Sequence, residues 1–262
     1  MYTVRAVDVE RPEKSAARRQ RIVDAAIELA DSEGLEAVSM RRLAEKLGVG
    51  TMTPYSYVAD KDELLDLMRD AVAREMLLPE PLPDNWRVAL REIAVRTRKT
   101  FEAHPWALET VPLRPRARIN MMRHVEQSIS VVRMLGADRE TGMAVLVSID
   151  DYVIGYCLRR RRRERMVEAI RADVGSGEAG AGPPDLDPEV AAAIAAGELP
   201  LLGEVFALPG RKGPIGAPPD SAFEPGLDWM LDGIEAVAAR SKSGRGRGKS
   251  APARGKRKPA RS

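Results

Sequence analysis

The sequence contains one cysteine, Cys157, and only two histidines among its 262 residues. A single cysteine cannot form an internal disulfide framework, and it excludes a structural zinc site built from cysteine ligands. The two histidines, His104 and His124, are too few for a histidine-rich metal site, so we predict no metal ion and no cofactor. A mixed site of histidine and carboxylates that holds a metal-chelated ligand stays open as an alternative.

Long apolar runs are also lacking. No run approaches the roughly 18 apolar residues of a membrane span, and the N-terminal segment lacks the apolar core of a signal peptide. We therefore expect a cytoplasmic protein with no membrane partner. A nucleophile elbow, a phosphate-binding loop and a His/Cys metal cluster are missing as well, so the sequence does not indicate an enzyme.

Charge is divided unevenly along the chain. Residues 241–262 contain nine Lys or Arg and no acid, whereas residues 1–240 contain 33 basic and 39 acidic residues. The net charge of +3 therefore combines a mildly acidic body with a basic tail. We expect this tail, residues 241–262, to be disordered and to attract phosphates without regard to sequence, or else to act only as a solubilising terminus.

Helical periodicity dominates the rest of the sequence. Apolar residues recur at helical spacing from about residue 18 to residue 240, and no segment shows the period-two alternation of a β-strand. We predict an all-α fold. Stretches rich in Gly and Pro at 173–188 and 209–219 are expected to be loops, and a long helix is expected over about 138–170.

Two short amphipathic helices, Met40–Leu47 and about Thr51–Tyr57, are joined by a glycine-containing turn, as in a helix-turn-helix. Val49 and Val58 can supply the inner packing of such a unit. Hydroxyls on its outer surface can donate to phosphate oxygens or base edges, and threonine methyls can contact thymine. The outer residues are Thr51, Thr53, Tyr55 and Tyr57. The alternative for the tyrosines is that one of them, Tyr55 in the first place, packs inward.

Residues 18–68 resemble the N-terminal domain of the tetracycline-repressor (TetR) family. The features that carry the resemblance are "S-M-R-x-L-A-x-x-L-G-V" in the second helix and "Y-x-Y-V-x-x-K-D-x-L" after it. The resemblance implies DNA contacts to bases or phosphates from the helix-turn-helix and from the start of the next helix. The implied DNA-binding residues are Ser39, Arg41, Arg42, Thr51, Met52, Thr53, Tyr55, Tyr57 and Lys61.

The sequence departs from this pattern at Pro54, where the family usually has a leucine-like residue. A proline at the end of the first turn removes one hydrogen bond, so we expect the helix to persist with altered geometry. Further basic candidates for the DNA side are Lys46 and, at the start of the first helix, Arg18, Arg19 and Arg21. The alternative for the last three is a solvated helix start.

The C-terminal part resembles the family's ligand-binding and dimerisation domain more weakly, through the helix from about 138, the segment from Phe223, and "HPW" at 104–106. The resemblance implies a homodimer, a small-molecule effector of unknown identity, and a near-palindromic double-stranded DNA operator. The candidate effector residues are His104, Trp106, Met121, Met122, Asp151, Tyr152 and Tyr156. For the Met and aromatic residues the alternative is an ordinary core position, and Asp150 and Asp151 can meet a cationic ligand, a partner subunit or water.

These expectations divide the chain into an arm (1–17), a helix-turn-helix DNA-binding domain with a connecting helix (18–78), a ligand-binding and dimerisation domain (79–240) and a tail (241–262). The function predicted is a dimeric, ligand-responsive transcriptional regulator, with repression as the expected mode. Two alternatives stay open: an architectural DNA-associated protein that uses the arginine-rich tail, and a regulator without an effector. The arginine run 159–163 is expected to be a solvated helix face.

Overall fold

The structure, a computed structural model, describes residues 12–111, 116–174, 187–207 and 220–247. These residues are helical and contain no β-strand, which confirms the all-α prediction. The helices are α1 (Pro12–Glu33), α2 (Met40–Leu47), α3 (Lys61–Met76), α4 (Trp86–Ala103), α5 (Pro105–Glu109), α6 (Ile119–Arg133), α7 (Arg139–Val174), α8 (Pro188–Ala195), α9 (Pro200–Ala207) and α10 (Phe223–Arg247). Short 3₁₀ helices lie at Leu35–Ala37, Pro54–Ser56 and Asp220–Ala222.

The described residues fall into two compact units. One unit comprises the residues up to Asp151 together with those from Leu227, and the other comprises residues 152–226. The division therefore cuts through α7 and α10. The candidate DNA-contacting residues all belong to the first unit.

Helix α1 begins at Pro12, earlier than the predicted start at residue 18. Proline suits the first helical position because its missing N–H would have no intrahelical partner there. Residues 12–17 of the expected arm thus belong to this helix, whereas residues 1–11 lie outside the described part. The buried face of α1 consists of residues at helical spacing: Ile22, Ala25, Ala26, Leu29 and Ala30.

Helix α3 connects the N-terminal helices to those that follow. Asp60 caps it by accepting a hydrogen bond from the Glu63 N–H at 2.7 Å, and Glu63 accepts one from the Ala59 N–H at 2.8 Å. This reciprocal arrangement resembles a capping box. The buried side chains of α3 include Leu64, Met68 and Val72, and the helix packs against α1, α4 and α6.

The start of α6 is held by a side chain from α3. The carboxylate of Asp70 accepts hydrogen bonds from the N–H groups of Asn120 at 2.8 Å and Met121 at 3.1 Å. The residue that precedes the helix, Arg118, makes no side-chain capping bond there. Asp70 therefore satisfies free donors of the first turn and places a negative charge at the positive end of the α6 dipole.

The C-terminal helices are longer than expected at their ends. Helix α7 reaches Val174, and α10 extends to Arg247, into the segment that was predicted to be disordered; for residues 241–247 that prediction is wrong. From Leu227 onward α10 is tied to α4 by ion pairs, including Arg87 to Asp232 at 2.6 Å and Arg91 to Asp228. Residues 175–186 and 208–219, most of the two expected loops, and residues 248–262 of the tail lie outside the described residues.

One stretch among the described residues, Arg139–Arg165 in α7, is long and apolar enough to cross a membrane by length and composition. Its best window has a mean hydropathy of 1.3 and is 33% buried inside the protein. The stretch contains no long uninterrupted apolar run, because Asp150 and Asp151 lie within it. The core helix of a soluble protein passes the same test, so the finding is weak evidence for a membrane span.

Candidate nucleic-acid interface

Helix α2 is defined at both ends by local signals. The Ser39 hydroxyl accepts a hydrogen bond from the Arg42 N–H at 3.3 Å, and Gly48 ends the helix in the left-handed conformation at φ 66°. These are the residue types that such positions favour. Ser39, a predicted DNA-binding residue, thus caps the helix whose exposed side carries Arg41.

The second helix of the predicted pair is not an α-helix. Residues 51–57, which we call the reading turn, form a turn at 51–53 followed by the 3₁₀ helix Pro54–Ser56. Pro54 has no N–H, so it cannot donate to the Gly50 carbonyl four residues earlier, and that carbonyl accepts from Thr53 at 2.8 Å instead. The prediction of an α-helix over Thr51–Tyr57 was therefore wrong, because Pro54 lacks the N–H for the four-residue bond to Gly50 and three-residue bonds hold Thr53, Ser56 and Tyr57.

Pro54 and Val58 anchor the reading turn from inside. Both are buried, and Val58 is 1% exposed as predicted. Val49, also expected inside, is 41% exposed, because the left-handed Gly48 directs the chain away from the buried face of α2. Pro54 thus occupies an inner position, where the family usually places a leucine-like residue.

The outer surface of the reading turn carries the predicted residue types. Met52 is 71% exposed and Tyr55 is 49% exposed, while Thr51 is exposed and Thr53 is half-buried. Tyr57 is the less exposed of the two tyrosines: it is half-buried, and its hydroxyl accepts a hydrogen bond from the Arg18 Nη1 at 2.7 Å.

The basic candidates on α2 and α3 differ in their partners. Arg42 pairs with Glu33 at 2.8 Å and Lys46 pairs with Glu28 at 3.1 Å, so both are directed toward α1. Arg41 is highly exposed and lies 3.5 Å from Glu45 on the same helix. Lys61 is exposed at the first position of α3.

A cleft of about 350 Å³ lies between the start of α1 and the reading turn. Its lining combines two guanidinium groups and two hydroxyls with apolar side chains: Arg18, Arg21, Thr53, Tyr57, Ile22, Leu47 and Val49. A larger cleft of about 760 Å³ runs between α1, α3 and the start of α6 and mixes arginines with the acids Asp24, Glu28, Asp70 and Glu75.

The candidate effector residues His104 and Trp106 contact α1 and α3. The His104 Nδ1 lies 2.9 Å from Asp31, and its Nε2 lies 3.3 Å from Glu75. Trp106 is buried, and its Nε1–H donates to Asp31 at 2.8 Å. The "HPW" segment therefore holds α5 against the N-terminal helices through a shared carboxylate.

The other candidate effector residues lie in different settings. Met121 is half-buried, whereas Met122 and Asp151 are exposed. Tyr152 donates to the Phe223 carbonyl at 2.8 Å, and the ring of the buried Tyr156 lies 5.0 Å from that of Phe223. The structure thus brings Tyr152 and Tyr156 together on Phe223.

Two buried polar side chains lie on α4 and α6. His124 and Thr97 are buried, and the His124 Nδ1 and the Thr97 Oγ1 have no hydrogen-bond partner among the described residues. Burial lowers the pKa of His124, which favours its neutral form. Thr97 lies at helical spacing with Leu90 and Ile93, whereas no local signal marks the burial of His124, because the buried face of α6 is decided by its packing on α3 and α4.

Metal binding finds no support in this part of the chain. Within the described ranges, no group of three or more His, Cys, Asp or Glu side chains is arranged to hold a metal ion.

Helix α2 is short and capped, and the left-handed Gly48 leads from it into the reading turn, whose hydroxyl and aromatic side chains face outward. Helices α1 and α3 pack beside this unit. The arrangement defines a helix-turn-helix DNA-binding protein. Comparisons with known proteins specify the class. Residues 22–68 match the bacterial regulatory proteins of the tetR family, and residues 78–238 match the tetracyclin repressor-like C-terminal domain. The chain belongs to the TetR family of transcriptional regulators, which are DNA-binding factors and not enzymes.

Individual relatives agree with this assignment. The HTH-type transcriptional repressor DrrR1 of Streptomyces coeruleorubidus is 34% identical over 226 residues, which cover 85% of this chain and 78% of DrrR1. The tetracycline repressor protein class E of Escherichia coli is 29% identical over 149 residues, covering 53% of this chain and 67% of that protein. ActR of Streptomyces coelicolor, solved in complex with actinorhodin, superimposes with a TM-score of 0.62 at 29% identity, covering 84% of this chain and 95% of ActR.

Proposed function

We propose that this regulator is a homodimeric repressor that binds a near-palindromic operator and leaves it when a small-molecule effector binds. The observation that carries the proposal is the reading turn. Its exposed Thr51, Met52 and Tyr55 face outward, while Pro54 and Val58 fix the turn from inside. Such a surface offers hydroxyl donors and apolar contacts to base edges and phosphates in a major groove.

The residues around the turn take different roles in this proposal. Arg41 and Lys61, which are exposed, contact backbone phosphates, and the free N–H groups of the first turn of α3 add to the attraction. Arg42 contacts DNA only by leaving its ion pair with Glu33. Ser39 acts through the α2 cap, because its hydroxyl holds the first turn that presents Arg41. Thr53 and Tyr57 act at the edge of the reading turn.

Dimerisation is proposed through α7 and α10. Each helix exposes apolar side chains, among them Met143 and Val147 on α7 and Val237 on α10. Trp229 on α10 is 75% exposed, an unusual state for the largest apolar side chain. A second copy of the chain would cover these faces and place two reading turns about one DNA helical turn apart, as a near-palindrome requires.

The effector is proposed to enter the region that matches the family's C-terminal domain. Support comes from ActR, which was solved in complex with actinorhodin, and this compound is therefore the first probe to test. Polar groups proposed to meet the effector are His104, Trp106, Asp151, Tyr152 and Tyr156, with Met121 and Met122 as apolar contacts. The protein is proposed to work in the cytoplasm, where its DNA target lies.

The decisive experiment is an in vitro selection from random DNA with purified full-length protein near physiological salt. The affinity of the selected site is then compared with that of the chain ending at Arg247, which keeps α10 intact. We expect a palindrome that both proteins bind, and that actinorhodin or another screened compound releases. If no sequence is enriched and binding disappears with the tail, the chain is an architectural DNA-associated protein instead. If a palindrome is bound but no compound releases it, the effector part of the proposal fails.

A further inference from the structure

The reading turn lacks the restraints of an α-helix. Its backbone is held mainly by three-residue bonds, Thr53 to Gly50 at 2.8 Å, Ser56 to Thr53 at 3.1 Å and Tyr57 to Pro54 at 3.0 Å, with one four-residue bond from the Val58 N–H to the Pro54 carbonyl at 3.0 Å. Such bonds have poorer geometry than those of an α-helix. A side chain at the end of this turn, such as Tyr57, therefore depends on contacts from outside the turn for a fixed orientation.

Arg18 on α1 provides that contact. Its Nη1 donates to the Tyr57 hydroxyl at 2.7 Å, and its guanidinium carbon lies 6.0 Å from the centre of the Tyr57 ring. The hydrogen bond orients the hydroxyl, and the cation near the ring adds an electrostatic attraction. The two residues are 39 positions apart in sequence, so the pair joins α1 to the reading turn.

The cleft beside this pair has the chemistry of a site for the DNA backbone. Arg18 and Arg21 supply positive charge, Thr53 and Tyr57 supply hydroxyls, and apolar side chains complete the lining, which contains no acid. A nucleotide backbone unit presents an anionic phosphate and an apolar deoxyribose face. The larger cleft between α1 and α3 does not match this ligand, because its acids would repel a phosphate.

We propose that this cleft binds one phosphate and its deoxyribose in each operator half-site, and that Arg18 is the residue that positions Tyr57 for this contact. The inference rests on the proposed DNA-binding function and assigns it a backbone site. In the complex, the Tyr57 hydroxyl and the guanidinium groups of Arg18 and Arg21 donate to the phosphate oxygens. Arg18 thus compensates for the helical bonding that Pro54 removes.

The test compares four variants of the full-length protein on the selected operator: Arg18→Met, Arg21→Met, Tyr57→Phe and the Arg18→Met/Tyr57→Phe double variant. Arg74→Met is the matched control, because Arg74 is an exposed arginine on α3 that lines the larger cleft. We expect Arg18→Met and Tyr57→Phe each to weaken operator binding about tenfold. The double variant should also lose only about tenfold in affinity, because both substitutions disrupt the same Arg18–Tyr57 pair. Arg18→Met and Arg21→Met should each reduce the slope of log affinity against log salt, by at most about 1.8 because the homodimer loses the charge in both half-sites, while Tyr57→Phe leaves the slope unchanged.

A scan of the operator with methylphosphonates, which remove the charge of single phosphates, identifies the phosphate itself. One position per half-site should weaken binding by the unmodified protein and by the Arg74→Met control most strongly. It should weaken Arg18→Met and Arg21→Met less, because each of these variants has already lost one of the two cations at that phosphate. Wild-type affinity of Arg18→Met, or additive losses in the double variant, would overturn the inference while leaving operator binding intact. Failure of the unmodified protein to select any site would instead remove the proposed function.

Discussion

The indole Nε1–H of Trp106 donates to the carboxylate of Asp31 over 2.8 Å, and the same carboxylate lies 2.9 Å from the His104 Nδ1. Asp31 belongs to α1 and Trp106 to α5. One carboxylate therefore joins the part of the chain that matches the DNA-binding domain to the part that matches the C-terminal domain.

Replacing Asp31 by Ala should destabilise the protein measurably. The change leaves the buried Trp106 N–H without its acceptor, which typically costs about 1–3 kcal/mol. Urea denaturation should show a loss of this size in the free energy of unfolding. Asp24→Ala is the matched control, because Asp24 is an exposed acid on the same helix that accepts a bond from Gln20. Equal stability of the two variants would contradict the role of Asp31.

Stability should fall on acidification in a way that depends on His124. Burial holds the pKa of His124 below its ordinary value near 6.5, so the unfolded chain binds a proton at a higher pH than the folded chain does. The neutral His124 therefore stabilises the fold above pH 6.5, and this contribution is lost as the pH falls below that value. His124→Gln, which does not titrate, should show a smaller drop in melting temperature between pH 7.5 and pH 5.5. An identical drop would contradict the prediction.

Asp150 should have the opposite pH dependence. The Asp150 side chain is exposed to solvent, but the protein atoms around it reduce its hydration. This desolvation, and then the negative charge of Asp151, raise the pKa of Asp150 to about 6. The protonated form thus stabilises the fold at low pH, and this contribution is lost as the pH rises through 6. Asp150→Asn should therefore raise the melting temperature relative to the unmodified protein at pH 7.5, and the gain should shrink near pH 4. A gain that is constant with pH would refute this assignment.

Restoring a backbone N–H at position 54 should change the bases that the protein selects. In Pro54→Ala, the new N–H can donate to the Gly50 carbonyl, which favours an α-helix over the reading turn and reorients Tyr55 and its neighbours. Selection from random DNA should return a site with the same half-site spacing but different bases within each half. Pro79→Ala, at an exposed position before α4, should select the original sequence. An unchanged site for Pro54→Ala would argue against the reading turn as the source of specificity.

A charge placed on the exposed apolar face of α7 should produce monomers. Val147→Glu puts an unpaired carboxylate into the proposed dimer interface, which is costly once the interface excludes water. Light scattering after gel filtration should show a dimer for the unmodified protein and a monomer for the variant. Leu201→Glu is the control, because Leu201 is an exposed apolar residue on α9, outside the proposed interface. A dimeric Val147→Glu would place the interface elsewhere.

Local signals were sufficient to predict some elements. Ser39 and Gly48 mark the two ends of α2, and the predicted range Met40–Leu47 is the observed one. Asp60 likewise marks the start of α3. These ends are determined by side-chain capping and by glycine's access to the left-handed conformation, both of which depend on neighbouring residues.

Features that depend on distant contacts could not be predicted in this way. On α6 the apolar Met122 and Val125 lie at helical spacing, yet both are exposed, while the polar His124 and Ser128 are buried. The hydrogen bond that Tyr57 accepts comes from Arg18, 39 positions away on another helix. The spacing of apolar residues identifies a helix. Where polar and apolar residues are interspersed, however, tertiary packing decides which face of the helix is buried.

The ion pairs on α2 have a consequence for the way the protein searches a chromosome. Glu28 and Glu33 already neutralise Lys46 and Arg42, so these two cations contribute little to the general attraction that holds a protein on random DNA. Under the proposed function, residence on random sequences then depends on the basic residues beyond Arg247 together with Arg41 and Lys61, whereas recognition depends on the shape and hydroxyls of the folded surface. Shortening the tail should therefore change how fast the operator is found more than how well it is distinguished.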